Sequence, residues 1–248
     1  KEIYIKVHEW DDSFKEYIQK KYPHIKFDLA KNFDYHINCT IYPKHYEMIK
    51  VLDPKKFFFI CHDIEPNLKS MENVFYLTPM AKRFIYADIM PHMSKKNMNK
   101  DIPIYAIQGH IGGKHARRRN LNLILNILKN NYDKPYKLKI VGSGELPEEF
   151  DKYKNKFELK KDLNFVDYHK EFLDCYCMFT LTLKDTNKQY YKTKLTSTIN
   201  YIRGYKLKAI IDKDLQEIYK LKNVELYSNE ENIVDAFKKT LNDFYNKN

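Results

Sequence analysis

PIYAIQGHIGGKHARRRN, residues 103–120, sets an apolar run against three glycines and then three arginines. Its first six residues, 103–108, predict a β-strand. Gly109, Gly112 and Gly113 predict a turn, and the helix expected over 118–130 puts Leu121, Ile124, Leu125 and Leu128 on one face at the i, i+3, i+4, i+7 spacing. KIVGSGELP, 139–147, repeats the theme with Gly142 and Gly144, so the two segments hold five of the chain's six glycines. A residue without Cβ lets backbone N–H groups come close to an anion, and the start of a following helix adds a favourable dipole. Arg117, Arg118 and Arg119 beside the first turn point to phosphate as that anion. The spacing is neither the G-x-G-x-x-G of dinucleotide folds nor a Walker loop, because no GK[ST] follows.

Further strands are expected at 136–141 (YKLKIV), 165–168 (FVDY), 177–183 (CMFTLTL), 208–212 (KAIID) and 224–227 (VELY), with helices between most of them. The second half therefore reads as a Rossmann-like α/β domain. Its last helix is expected behind a capping box of Ser228 and Glu231, with Ile233, Phe237, Leu241 and Phe244 along one face. Toward the N-terminus the alternation is shorter, with strands at 3–7, 36–42 and 57–64 and a helix over 12–21. PHMSKKNMNKDIP, 91–103, is bounded by prolines, polar and aperiodic, and reads as a linker. The expected domains are a reduced Rossmann-like unit over 1–100 and a complete one over 101–248, the last helix packing back on the first.

The 248 residues are 43% hydrophobic, enough for real cores, and carry a net charge of +11 from 44 Lys and Arg against 33 Asp and Glu. Lysine outnumbers arginine and Tyr, Asn, Ile and Phe abound, a mixture that fits an AT-rich genome's codon bias as well as a basic surface. The lysines are spread along the whole chain and no nucleic-acid motif accompanies them, so nucleic acid is not the expected partner. Cys39, Cys61, Cys175 and Cys177 lack CxxC spacing and are expected as buried, reduced thiols. With no long apolar run and no signal-like opening, a soluble, cytoplasmic protein without a transmembrane segment is expected. The chain opens on Lys1, which leaves room for a leader or tail outside it.

Gly109 falls where the first strand of the second domain ends, and ligands of such sheets sit outside the carboxyl ends of the strands. Arg118 and Arg119 follow in the first helical turn, where cations oppose the macrodipole unless an anion lies between them. In YYKTKLTSTINYIRGYK, 190–206, Leu195, Thr198, Ile199 and Ile202 form a helical stripe, and Lys194, Thr196 and Ser197 are expected in its first turn. An ammonium, two hydroxyls and free N–H groups at one helix start suit a diphosphate; the same residues also read as an ordinary capped helix. CHDIEP, 61–66, ends the most apolar strand of the first half. Its His62 and Asp63 could take a proton from an acceptor hydroxyl, with Asp63 as a local cap the plain reading, and His8 and Glu9 occupy the equivalent edge. Asp212-Lys213-Asp214 has the look of a metal-binding DxD, yet Asp214 as the N-cap of the following helix explains it, and no metal site is expected.

In this order of segments the second half resembles the donor-binding domain of GT-B glycosyltransferases, particularly family 4 and related groups. The resemblance runs through QGHIGGKHARRRN, a helix, KIVGSG, FVDYHKEFLDCY, a strand, and the helix before KAIID. RRN, VGSGELP, FVDYH and YYKTKLTSTINY are similar, more closely, to divergent glycosyltransferase-like proteins of giant viruses. The likeness covers about 102–246, and the first half only at LTPMAKRFIYADIMPHM, 77–93. It implies two Rossmann-like domains facing across a cleft, the N-terminal one reduced and on the acceptor side. It implies transfer of a sugar from a UDP- or GDP-linked donor to a hydroxyl of a glycan, protein or lipid, with no metal or other cofactor required and with retention of configuration. Its location would then be the host cytoplasm or a virus factory.

By this resemblance Gly109, Arg118 or Arg119, Lys194, Thr196 and Ser197 would contact the diphosphate, while Gly142, Ser143, Gly144 and Tyr168 would border the base and ribose. The family carries two glutamates where this chain has Thr193 and Tyr201, eight residues apart. A catalytically weak or inactive nucleotide-sugar-binding protein is therefore the alternative, and a basic nucleic-acid-binding protein a third reading. Under inversion, Asp63 or His62 would be the base.

Overall fold

The computed structural model describes residues 3–4, 12–27, 34–39, 41, 45–85, 98–111 and 119–247. His8, Glu9, Gly112, Gly113, Arg117, Arg118 and most of the expected linker lie outside the described residues.

The N-terminal half comprises β1 (Ile3–Tyr4), α1 (Asp12–Lys21), β2 (Ile25–Lys26), β3 (His36–Asn38), α2 (Tyr46–Val51), β4 (Phe57–Cys61) and β5 (Val74–Tyr76). β1 pairs with β2, while β3, β4 and β5 form a separate three-stranded sheet, all parallel. The helix α1 has the expected bounds; β2, β5 and α2 are too short to leave a period in the sequence. The core of this half is small, built on Ile49, Phe59, Cys61, Leu68, Val74 and Tyr76.

The second half comprises β6 (Ile104–His110), α3 (Asn122–Lys129), β7 (Lys137–Ser143), β8 (Phe157–Lys161), α4 (Phe165–Lys170), β9 (Cys177–Phe179), α5 (Ser197–Tyr205), β10 (Lys208–Asp212), α6 (Lys213–Tyr219), β11 (Val224–Tyr227) and α7 (Ile233–Lys247). Its six strands are parallel and lie in the order β8-β7-β6-β9-β10-β11. Counted from β6, that is the 3-2-1-4-5-6 order of dinucleotide-binding sheets, which reverses direction between β6 and β9. Successive residues of β6 go to opposite cores: Tyr105 and Ile107 pack with Ile124, Leu128 and Phe237, whereas Ile104 and Ala106 pack with Phe172, Tyr201 and Ile202. Burial on both faces is why this strand reads as an unbroken apolar run.

The structure departs from the sequence reading at α4, β8 and α7. FVDY is not a strand but the start of α4, because Asn164 caps it by accepting a hydrogen bond from the Asp167 N–H at 2.9 Å. The strand in its place is β8, FELKK, a sheet edge whose charged residues hide its pattern and protect the edge from further pairing. The last helix begins at Ile233, and the turn before it is held by Asn229 and Asn232, which accept from the N–H groups of Asn232 and Ser228 at 2.8 and 2.9 Å, in place of a Ser228–Glu231 box. Its buried face packs on the second sheet: Phe237 sits 4.6 Å from the Tyr105 ring and 4.9 Å from Tyr132 and Tyr136. Each such buried side chain contributes roughly 2 kcal/mol, so this face is committed.

Of the cysteines, Cys61, Cys175 and Cys177 are buried free thiols as expected, and Cys39 is exposed. Among the described residues, no helix is long and apolar enough to cross a membrane.

Basic residues serve the sheet itself. Buried Lys139 pairs with Glu171 and Asp174, and buried Lys208 with Glu225 and Asp243. At the β7–β8 edge, hydrogen bonds from Lys137 and Lys160 hold the Glu158 carboxyl down from 4.5 to about 2. A carboxylate whose pKa is depressed by folding stabilises fully above 4.5, and its contribution is lost as pH falls towards 2. Glu158→Gln should therefore show a shallower loss of urea stability across that window than the parent, and an unchanged acid limb would count against the pairing.

Candidate functional site

The site begins where β6 and β9 part. At the end of β6, Gly109 has φ +110°, a left-handed conformation that an L side chain resists. Gly109 stands opposite Gly142 of β7, and a Cβ on Gly142 would lie 2.0 Å from the Gly109 carbonyl oxygen. Gly142 is thus required by the approach of two backbones, whatever binds nearby. Gly144, with φ +97°, turns the chain away from the sheet. His110 Nδ1 and Ser143 Oγ are 2.6 Å apart, which joins the two strand ends.

After β9 the chain is held tightly. Leu181 has φ +50°, a conformation that costs about 1–2 kcal/mol for such a residue. It is fixed from both sides: Asn120 donates its N–H to the Leu181 carbonyl at 2.8 Å, and the buried Tyr227 hydroxyl accepts from the Thr182 N–H at 3.0 Å while donating to the Thr182 carbonyl at 2.9 Å. This rigid turn leads to the segment that opens α5.

Thr196 is the N-cap of α5, so Lys194 lies two residues before the cap instead of in the first turn, as the sequence suggested. The Thr196 side chain makes no cap hydrogen bond; its hydroxyl is buried and without a partner among the described residues. A buried hydroxyl left in this way costs about 1–3 kcal/mol, and the first N–H groups of the helix have no intrahelical acceptors. Ser197 and Thr198 donate their hydroxyls to Gln108 Oε1, both at 3.3 Å. Gln108 therefore ties the start of α5 to the Gly109 turn.

Arg119 is buried. It is 7% exposed, and its guanidinium donates to the Gln108 carbonyl at 3.2 Å and to Thr198 Oγ1 at 3.0 Å, with Tyr190 also in reach. Burial pulls its pKa down, against the neighbouring Tyr190 hydroxyl that pushes it up. Its role here is to brace the wall behind Gly109, since its Nη2 would lie 3.1 Å from a Cβ at that position. Tyr168, on α4, engages Gln108 and Tyr201 through its hydroxyl, and burial raises its pKa. Gln108 was missed in the sequence, although a polar residue at the end of an apolar strand and beside a glycine was there to be read.

From the other half, β4 delivers exposed His62 and half-buried Asp63. Asp63 Oδ2 is 2.7 Å from Lys194 Nζ, and the Ile64 N–H donates to the Thr193 carbonyl at 2.8 Å. The halves also meet at Thr78 and Tyr219, whose hydroxyls are 3.2 Å apart, and at Phe14 and Phe165, whose rings are 4.8 Å apart. The cap of α6 is Asp212, which accepts from the Leu215 N–H at 3.1 Å; Asp214 pairs instead with Lys184 at 2.7 Å. Among the described residues no group of three or more His, Cys, Asp or Glu side chains gathers as a metal site would. A hollow of about 400 Å³ lined by Met98, Asn99, Lys100, Asp101 and Asp174 lies before β6 and β9, at the opposite end of the strands from this site.

No family model and no curated protein matches the sequence. Solved structures do match the fold. AviGT4, a glycosyltransferase involved in avilamycin A biosynthesis, superposes with a TM-score of 0.59 at 12% identity, over 89% of this chain and 71% of its own. Sucrose-phosphate synthase from Thermosynechococcus elongatus gives 0.55 at 11% identity, over 94% and 68%. The fold is that of GT-B glycosyltransferases. The α/β architecture expected from the sequence therefore holds, with parallel sheets flanked by helices in both halves.

Because the Gly142 Cβ would strike backbone and not a yielding side chain, Gly142→Ala should lower the unfolding free energy by about 3 kcal/mol or more, measured by urea denaturation without ligand. A variant as stable as the parent would contradict the close approach.

Proposed function

We propose that the chain is a glycosyltransferase that moves a sugar from a nucleoside diphosphate sugar to an acceptor hydroxyl. The reading is carried by the start of α5, where Thr196 leaves a buried hydroxyl unpartnered beside the Gly109 strand end and Lys194. That point is the switch of the sheet order, where such folds take their ligands. The helix N–H groups, the Thr196 hydroxyl, the Ser197 hydroxyl on exchanging its bond to Gln108, and the Lys194 ammonium would receive the diphosphate, and would stabilise the charge that grows on it as the glycosidic bond breaks. Those groups make a metal unnecessary in this reading. Gly142, Ser143, Gly144 and Tyr168 would border the base and ribose, and His62 and Asp63 would meet the acceptor from the other half. Retention of configuration follows the family 4 resemblance. The two solved glycosyl-handling enzymes that share the fold support the class of reaction.

A second reading, a nucleotide-sugar-binding protein with little or no turnover, is favoured by one observation. Tyr201 is buried with its hydroxyl engaged by Tyr168, so the position aligned with a family glutamate offers a neutral, occupied group. Thermal unfolding with UDP, GDP and their sugars tests the site itself. Saturating donor should raise the melting temperature by several degrees, as about 3 kcal/mol of linkage does at a hundredfold excess over Kd, and Lys194→Ala should abolish the shift. No shift with any of these ligands would contradict the donor site. Donor consumption with an acceptor panel separates the readings: turnover supports the transferase, and binding without turnover supports the second.

A further inference from the structure

Lys194 has two claims on it. The donor reading assigns its ammonium to a diphosphate, while the structure shows it 2.7 Å from the Asp63 carboxylate, 131 residues away in the chain. We infer that the Asp63–Lys194 pair is an exchangeable clasp: it closes the anion site when no ligand is present, and an incoming diphosphate takes Lys194 from Asp63. The inference rests on the diphosphate site proposed above.

Three observations support it. Side-chain exposures of 39% for Lys194 and 36% for Asp63 leave the pair accessible to water and ligand, and pairs of this kind are weak. A multiply charged phosphate that also gains helix N–H groups is the stronger partner for the ammonium. Backbone geometry then brings the carboxylate to the mouth of the site whether or not the ion pair is made. Asp63 and Lys194 face each other as an antiparallel bridge, reinforced by the Ile64 N–H to Thr193 carbonyl bond at 2.8 Å. Finally, the halves keep a second, neutral contact at Thr78 and Tyr219, buried and 3.2 Å apart, which an anion has no reason to disturb. Exchange at the clasp can proceed while that contact persists.

The pair therefore has a sign that a purely structural ion pair lacks. Asp63 opposes anion binding twice, by occupying Lys194 and by repelling the ligand, and a bound diphosphate shifts its carboxylate from the paired towards the free form. That order would couple donor binding to the release of a proton acceptor on the acceptor side.

Inorganic pyrophosphate is the probe, titrated calorimetrically at low salt into the parent, Asp63→Asn, Asp63→Ser, Lys194→Ala and the Asp63→Asn/Lys194→Ala double variant. Removing the Asp63 charge should tighten binding about fivefold, with the gain shrinking at high salt. Lys194→Ala should weaken binding at least tenfold, and in its background the Asp63→Asn gain should be largely lost. Using two Asp63 variants keeps the test valid where one folds poorly, as judged by circular dichroism. Equal or weaker binding by both Asp63 variants, with the parent binding normally, overturns the clasp and leaves the site intact. If pyrophosphate binds neither the parent nor the variants, the anion site itself is wrong.

Discussion

A parallel sheet must send every connection across one of its faces, and where the strand order turns back on itself the connections leave in opposite directions. In this sheet the reversal falls between β6 and β9, the point at whose carboxyl ends folds of this kind take their ligands. The two cores on either side, one under α3 and α7 and the other under α4 and α5, hold the strands on both faces. Gly109 and Gly142 set how closely two strand ends meet, and Gln108 fastens α5 to that edge. The buried Arg119 guanidinium sits behind them, bonded to both Gln108 and Thr198.

Much of this was legible in the sequence, for identifiable reasons. Helix α1 and strands β10 and β11 were read with their observed bounds, because each carries an unmixed pattern between turn residues. FVDY failed because Phe165, Val166 and Tyr168 around one aspartate fit strand and helix alike, and Asn164 as a cap decided it. Arg119 was singled out for its neighbours in sequence, but that it donates to Thr198, 79 residues on, as well as to Gln108, could not be read locally. The Asp63–Lys194 pair is invisible to local pattern for the same reason, although each residue was singled out separately.

The excess of positive charge looks different once placed. Lys139 and Lys208 are buried in carboxylate networks, and Lys137, Lys160 and Lys161 pair along the β7–β8 edge and its adjoining turn. These lysines stabilise the sheet and its edge. Lys194 differs in pairing, half-exposed, with a carboxylate of the other half, Asp63, so that its charge is not spent within the sheet.

The place where an anion binds is decisive. A crystal structure of the chain with a nucleoside diphosphate would test that most directly. Diphosphate oxygens within hydrogen-bond distance of the α5 N–H groups, Ser197 and Lys194, beside Gly109, are the predicted result. A diphosphate bound elsewhere, with the start of α5 untouched and Lys194 still on Asp63, would contradict it.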